Sequence, residues 1–496
     1  MIMPSNKSSS VLSKSTFIRG LQCEKSLYLH KKRPFLRDRI SPEQLAKFSR
    51  GTNVGVYAQQ LFPGGVNAAP KTHFQMAASV KKTAEFMEAG ETVIYEAAFE
   101  HAGVIIALDI MVKNEKGWHA IEVKSSKAIS ETYLWDASLQ YFVMAGSGVQ
   151  VSDFSIAYIN TSFVRKGPIN PAELFKIESV LPFVLERQEQ VGQKIERLKE
   201  VVELKNSPPV PIGPQCHKPY PCDFIGHCWK NVPAGSVFDL KGMEEDQKFR
   251  YFESGIIKAE DIPEKELDEK TTARQVKSMA MGQAVVDSKD LKAFLDRIKM
   301  PAAVFSWLDF KPALPIFEVT KPYQSVPCSF ALRGLDVIED RPVLYTTPAF
   351  PERDMLEKIL DAMLAFETIL VFGPQPDWGF LLKNAGAEDA LQRKVKLLLA
   401  RSLDLSQPFN DFSIAWPGMR HADTPEEILA GLHQPVLKPA GKIKTRLEAA
   451  LALEKLALGN LKEDHEKVMR DVKVFHSARV SNTKKLLEFA RELADV

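Results

Sequence analysis

Asp109 stands alone among apolar neighbours in Ile105-Ile-Ala-Leu-Asp-Ile-Met111, and Glu122 and Lys124 follow on the next extended run, Trp118-His-Ala-Ile-Glu-Val-Lys124. An unpaired carboxylate in apolar surroundings is costly, so Asp109 needs a partner or an ion. Glu122 and Lys124 are two apart, which on a strand puts them on one face. Two carboxylates and a backbone carbonyl, that of Val123, make a hard oxygen site suited to Mg²⁺ or Mn²⁺. Such an ion polarises a phosphate oxygen and acidifies its water, while the ammonium of Lys124 orients the nucleophile or offsets accumulating charge: the chemistry of phosphodiester hydrolysis. Glu96, on the preceding strand, is placed to help hold the ion, and Gln140, on the following helix, to reach a phosphate or a base. The competing structural reading is an Asp109–Lys124 salt bridge at a sheet edge. It leaves Glu122 and the apolar setting of Asp109 without a role.

The second chemical constellation is sulfur. Cys216, Cys222 and Cys228 recur every six residues, and Cys23 lies far upstream near the start. Together they supply four thiolates, the number a [4Fe–4S] or [2Fe–2S] cluster takes. Zinc is the alternative, because His217 and His227 adjoin the trio, although structural zinc knuckles favour tighter spacing. The fifth cysteine, Cys328, reads as a buried apolar thiol.

Positioning these groups requires a sheet with helices around it. The pattern predicts a helix over 14–33 opened by a Ser/Thr cap, and helices over 41–62 and 73–90. Strands follow at 92–99, 103–113 and 118–124, the last two joined by the hairpin turn Asn114-Glu-Lys-Gly117. A helix over 130–145, a strand at 153–160 and a long charged helix over 171–205 complete the region. The Pro-rich linker Asn206 to Pro214 then delivers the cysteine trio. Beyond Pro233 come charged helical segments at 243–253 and 264–298, then strands at 302–310, 326–336 and 367–373. The proline-free stretch 440–496 has apolar residues at helical spacing and is expected to form helical hairpins.

With 496 residues, 45% hydrophobic and 26% charged, the chain belongs with multidomain globular proteins rather than disordered ones. No apolar run is long enough to cross a bilayer and the start is polar, so a cytoplasmic protein without a membrane partner is expected. Residues 1–50 hold 11 Lys and Arg against 3 Asp and Glu, a local +8 that leaves −6 for the rest of a chain with net charge +2. A basic N-terminal segment of this kind suits salt-dependent contact with phosphates.

The order Glu96, Asp109, Glu122-Val-Lys124, Gln140-Tyr141 resembles the RecB-type PD-(D/E)XK nucleases, including those that trim DNA for CRISPR adaptation. Over residues 12–230 the resemblance implies a restriction-endonuclease-like α/β domain in which Asp109 and Glu122 bind metal, Lys124 is catalytic and the Gln140 helix contacts DNA. It also implies one cysteine before the core and three after it as an iron–sulfur clasp, with single-stranded DNA or DNA ends as substrate and exonuclease before endonuclease activity. A helicase or another repair or defence protein would be the partner. Two positions depart from the family: Gly51-Thr-Asn-Val-Gly55 lacks the early metal-binding His, and Met144 stands at the Tyr spacing after Gln140. An inactive nucleic-acid-binding scaffold is therefore the rival expectation.

Trp307-Leu-Asp-Phe-Lys311, with Pro322-Tyr-Gln324, resembles a domain often fused to such nucleases and similar to RNase H-like 3′–5′ exonucleases of the DEDD type. Asp309 keeps the first acid, Lys311 replaces the second, and Asp377 and Asp404 are candidate remnants, so this domain is expected to be degenerate. The expected layout is 12–235 nuclease, 236–300 helical linker, 301–435 RNase H-like domain and 436–496 C-terminal helices.

Overall fold

The computed structural model describes residues 11–70, 75–268, 270–336, 342–386, 389–459 and 464–495. The fold is mixed α/β, in two units: Met1–Asn231 with Ala313–Tyr323, and Val232–Pro312 with Gln324–Val496. The segment expected to be a linker, 236–300, lies within the second unit and buries Phe238, Phe249, Leu291 and Phe294. Among the described residues no helix is long and apolar enough to cross a membrane.

The first unit is built on a seven-stranded sheet. Its strands are β1 (Leu12–Ser13), β2 (Val66–Asn67), β3 (Val93–His101), β4 (Val104–Asn114), β5 (Gly117–Lys124), β6 (Val151–Ile159) and β7 (Phe175–Ser179). They run in the order β2-β3-β4-β5-β6-β7, with β1 added beside β4. Helices α1 (Lys14–Gln22), α2 (Glu24–Lys32), α3 (Pro42–Ala58), α4 (Met76–Glu88), α5 (Glu131–Gly146), α6 (Pro171–Leu174), α7 (Leu181–Glu186), α8 (Gln188–Glu203) and α9 (Ile225–Cys228) accompany it. One apolar cluster joins Phe17, Leu27, Leu139, Val143 and Leu198 of the helices to Leu108, Ala120 and Phe154 of the sheet. A second joins Val54 and Ala58 of α3 to Tyr95, Ile110, Ile121 and Val123, together with Ala313 of the returning segment. The sheet is thus covered on both faces, which explains the near-continuous apolar runs of its central strands.

The pairing of β4 changes partway along. It pairs with β5 over Ile110–Asn114 and with β1 at Val104 and Ile105. Asp109 sits where the two ladders part. The inside–outside alternation slips at the same level: Leu108 belongs to one apolar cluster and Ile110 to the other, as do Ala97 and Tyr95 on β3. The residues at the slip are Asp109 and Glu96, and Glu96 has φ 54°. A local irregularity re-aims side chains that a regular pleat would send to alternate faces.

Several boundaries differ from the expected ones. The helix over 14–33 is two helices broken at Cys23, whose backbone is extended at φ −162°. The helix over 171–205 is interrupted by β7, because residues 175–179 complete the edge of the sheet against β6. In the second unit, the stretch 264–298 divides into Thr272–Met281, the short strand β8 (Val285–Val286) and Ser288–Leu295; Gly282 ends the first helix at φ 66°. The first two positions of the helix expected over 73–90 lie outside the described residues, as do 460–463 and 496 of the C-terminal stretch.

The second unit has its own five-stranded sheet, from β9 (Ala302–Phe310), β10 (Val326–Gly334), β11 (Val343–Thr346), β12 (Thr368–Val371) and β13 (Ser402–Asp404), in the order β11-β10-β9-β12-β13. β9, β10 and β11 are antiparallel neighbours, while β12 runs parallel to both β9 and β13. β14 (Ile414–Ala415) makes a separate ribbon with β8. The C-terminal stretch forms Arg446–Ala457 and the 30-residue helix His465–Ala494, whose Val480 and Leu487 pack on Val304 and Leu370.

The β4–β5 hairpin fixes which carboxylates face one another, and Gly117 makes it possible. Its φ is 132°, and a Cβ there would come within 2.3 Å of the Gln150 carbonyl oxygen. Asn114 accepts from the Lys116 N–H at 2.9 Å to complete the turn. Gly117→Ala is expected to destabilise the first unit by about 1–3 kcal/mol, the cost of a strained backbone position, and to lower the thermal unfolding midpoint read by circular dichroism.

Candidate active site and cysteine cavity

The split between β4 and β5 opens directly onto the acids. Glu122 is 2% exposed, and both of its oxygens are engaged. Lys14 and Lys124 each place Nζ at 2.7 Å from Oε1, and Gln140 donates to Oε2 at 2.9 Å. Lys124 also reaches Asp136 Oδ2 at 2.5 Å. Asp109 Oδ2 accepts from the Val123 N–H at 2.6 Å, one residue beyond the Glu122 carboxylate. Side-chain and main-chain groups of β5 are thereby held from β4, from α1 and from α5 at once.

Of the five residues expected to act here, Lys124 and Gln140 bond Glu122 directly, Asp109 bonds the adjoining Val123 N–H, and Glu96 acts on Asp109 and Glu122 through its charge. Asp109 and Lys124 are not each other's salt-bridge partner; the ammonium goes to Glu122 and Asp136 instead. Two members had not been anticipated. Asp136 lies four residues before Gln140, one turn along the same face of α5, a spacing visible in the sequence. Lys14 depends on the parallel pairing of β1 with β4, which links residues about ninety apart and leaves no local signal.

The charges are unevenly settled. Burial would raise the Glu122 carboxyl, yet Lys124 and Lys14 pull it down to about 2. Burial pushes the Asp109 carboxyl up to about 8, with Glu122 adding to the rise and Lys14 opposing it. Glu96 is also raised, first by burial, with Lys14 drawing it down and Glu122 pushing it up. For Lys14 and Lys124 burial acts to lower the ammonium pKa, and Asp136 and Glu122 more than reverse it. Four acids surround two ammonium groups.

That surplus fits a divalent cation. Asp109, protonated near neutrality without one, would become a ligand by giving up its proton. Gln140 Oε1 is buried without a hydrogen-bond partner among the described residues, an acceptor facing no donor. Against this, Lys14 already sets one cation on Glu122. Among the described residues no group of three or more His, Cys, Asp or Glu is arranged to hold an ion.

The four expected cysteines line one small cavity that is partly open to solvent. Cys23 comes from the α1–α2 junction, Cys216 and Cys222 from the loop after the Pro-rich linker, and Cys228 from the end of α9. Val210, Ile212, Phe224 and Ile225 complete the wall. The thiols are free, and Cys222 Sγ lies 3.4 Å from Ser26 Oγ. Burial raises the Cys23 and Cys228 thiols, so they are protonated unless a cation takes the proton's place. Polar ties close the loop onto the N-terminal helices: Gln22 donates to the Gln215 and Tyr220 carbonyls at 2.7 Å, and Arg19 and Arg37 both grip Asp223.

In the second unit Asp309 is 7% exposed and accepts from Arg446 at 2.9 Å and Ser325 at 2.5 Å, with Lys311 at 3.7 Å. Asp404 accepts the Gly373 and Ser406 N–H groups, and Asp377 caps the helix Trp378–Asn384. These acids serve turns, a cap and an ion pair.

No protein-family profile and no curated protein matches the chain. Among solved structures it is similar to an alkaline exonuclease (LHK-Exo) from Laribacter hongkongensis, at 14% identity and a TM-score of 0.24, over 39% of this chain and 90% of the other.

Asp109 gives the site a measurable pH dependence. Its carboxyl moves from about 3.8 in the unfolded chain to about 8 in the fold, so between these values the folded state holds a proton that the unfolded state has released. Without added cation, the Asp109 contribution to stability should fall as pH rises from about 4 to about 8 and level off above, by no more than about 1.4 kcal/mol per pH unit for one proton. His476, which burial holds down at about 3, acts in the opposite direction below about 6.5. In urea titrations across this range, the stability of the parent relative to Asp109→Asn should decline with the Asp109 slope.

Proposed function

We propose that the first unit is a metal-dependent DNA nuclease acting on single strands or DNA ends, with an iron–sulfur cluster in the cysteine cavity. The observation that carries this is the gathering of Asp109, Glu122 and Lys124 on neighbouring strands where the β4–β5 ladder ends. Asp109 and Glu122, with the Val123 carbonyl, would hold Mg²⁺ or Mn²⁺, and the bound ion would supply charge to a phosphate oxygen and acidity to a water. Lys124, held by Glu122 and Asp136, keeps its proton and presents positive charge to the phosphate. Gln140 fixes Glu122 from behind, and Glu96 adds a third carboxyl beside the pair. The cavity lining supplies four thiols and no histidine, the donor set of an iron–sulfur cluster, and a four-thiolate zinc site is the alternative. A helicase or another repair or defence protein is the proposed partner class.

One observation favours the rival, a nucleic-acid-binding scaffold without turnover: the Lys14 ammonium on Glu122 meets part of the demand for a cation. Cleavage of 5′- and 3′-labelled single-stranded and duplex DNA with Mg²⁺ or Mn²⁺ separates the two. Parent protein should cleave, and Asp109→Ala and Lys124→Ala should each lose on the order of 10²-fold or more. Equal activity in parent and variants would refute the site, and absence of cleavage by all three would favour the scaffold.

The cluster has an independent readout. Anaerobically purified protein should be brown, with iron and acid-labile sulfide in near-equal amounts, and Cys222→Ser should lose colour and unfold at lower temperature. Colourless protein carrying zinc would assign the cavity to zinc.

A further inference from the structure

Ala313–Tyr323 leaves the second unit in sequence yet folds with the first. Ala313 and Leu314 pack into the cluster around Ile110, Ile121 and Val123. Arg165 then ties the segment down: its guanidinium donates to the Pro315 carbonyl at 3.0 Å and to the Ile316 carbonyl, its N–H donates to the Thr320 carbonyl at 3.0 Å, and its carbonyl accepts from Val319 at 2.9 Å. Glu318 accepts the Gly167 N–H at 2.9 Å. The segment is fastened at many points for its length.

What it delivers is strained. Val319 and Tyr323 both have φ 59°, in the left-handed region that bulky residues avoid. Strain of this kind persists only where surrounding contacts over-determine the backbone, and it concentrates where a side chain must be held in a particular place. Tyr323 is partly exposed and packs against the same cluster, and its hydroxyl is buried without a hydrogen-bond partner among the described residues. The Lys127 ammonium lies 5.4 Å from the centre of its ring. Burial pushes the hydroxyl up to about 12, with Arg50 pulling it down and Tyr133 adding to the rise, so both are within electrostatic reach. Tyr133, at the start of α5, has the Lys124 ammonium 5.1 Å from its own ring centre, and its hydroxyl pairs with Tyr220 of the cysteine loop. Two rings of the first unit thus each carry a cation: Tyr323 with Lys127, and Tyr133 with the Lys124 ammonium of the candidate centre.

Alternating rings and cations are what single-stranded nucleic acid requires: every base has a face to stack, and the backbone carries one charge per nucleotide. We propose that Ala313–Tyr323 is a substrate-guiding arm of the first unit, with Tyr323 stacking on a base of a single DNA strand whose phosphates meet Lys127 and Arg50 on the way to Asp109, Glu122 and Lys124. This rests on assigning nuclease chemistry to that centre. A blunt duplex exposes only the outer face of each terminal pair, whereas every base of a single strand can turn a face to Tyr323, so the arm favours unpaired nucleotides.

The test uses the full chain in EDTA, which separates binding from turnover, with a labelled oligo-dT and a blunt duplex as probes. Tyr323→Leu should weaken oligo-dT binding roughly 5- to 100-fold and duplex binding by much less, and Tyr323→Phe should bind like the parent. With Mg²⁺ or Mn²⁺ added, Tyr323→Leu should raise KM for single strands more than it lowers kcat. A 5-iodouracil oligonucleotide photo-crosslinked to the parent should label a peptide containing Tyr323, a readout that needs no variant to fold. Parental affinity in Tyr323→Leu, equal weakening in Tyr323→Phe, or crosslinks only to other peptides would overturn the arm and leave the nuclease assignment standing. Failure of the parent to bind either probe would overturn both.

Discussion

A carboxylate buried in a sheet dictates the architecture of the first unit. Glu122 is almost wholly shielded from water, and a charge so placed is tolerated only if paired and hydrogen-bonded. The partners come from three directions: Lys14 from the first helix, Lys124 from the same strand and Gln140 from α5. Each has to be brought there by a tertiary contact. The short β1 strand seats Lys14, the Ser130 cap starts α5 in register with Gln140, and the slip at Glu96 and Asp109 turns the neighbouring acids toward the same place.

The same grouping explains why Glu122 and Asp109 differ so much in acidity although they neighbour each other. Glu122 has collected the available cations, and Asp109 is left with one main-chain N–H and a like charge beside it. One acid is ionised at neutral pH while its neighbour keeps its proton, the usual outcome when two carboxylates share too little positive charge.

Much of this was legible in the sequence, and for definite reasons. Asp109 announced itself by interrupting an apolar strand; Asn114 and Gly117 marked the turn that brings Glu122 back; the cysteine spacing singled out four thiols that prove to line one cavity. Strand β9 runs over the expected residues, Ala302–Phe310, because its apolar run is long and bounded by Pro301 and Lys311. What escaped was non-local. Lys14 reads as an ordinary helix-start lysine until β1 is paired with β4, and β7 reads as helix until β6 offers it an edge. Cys23 breaks a helix that propensity alone would continue. Nothing around Tyr323 signals that its segment folds with residues far upstream.

That last feature bears on how the protein comes into being. Everything the first unit needs for its sheet, its acids and its thiols has been synthesised by residue 231, but its final piece follows roughly ninety residues later. At ribosomal speeds of about 5–20 residues per second, the nascent sheet spends on the order of 5–20 seconds with the apolar site of Ala313 and Leu314 still bare. A gene cut after codon 231 would make that interval permanent.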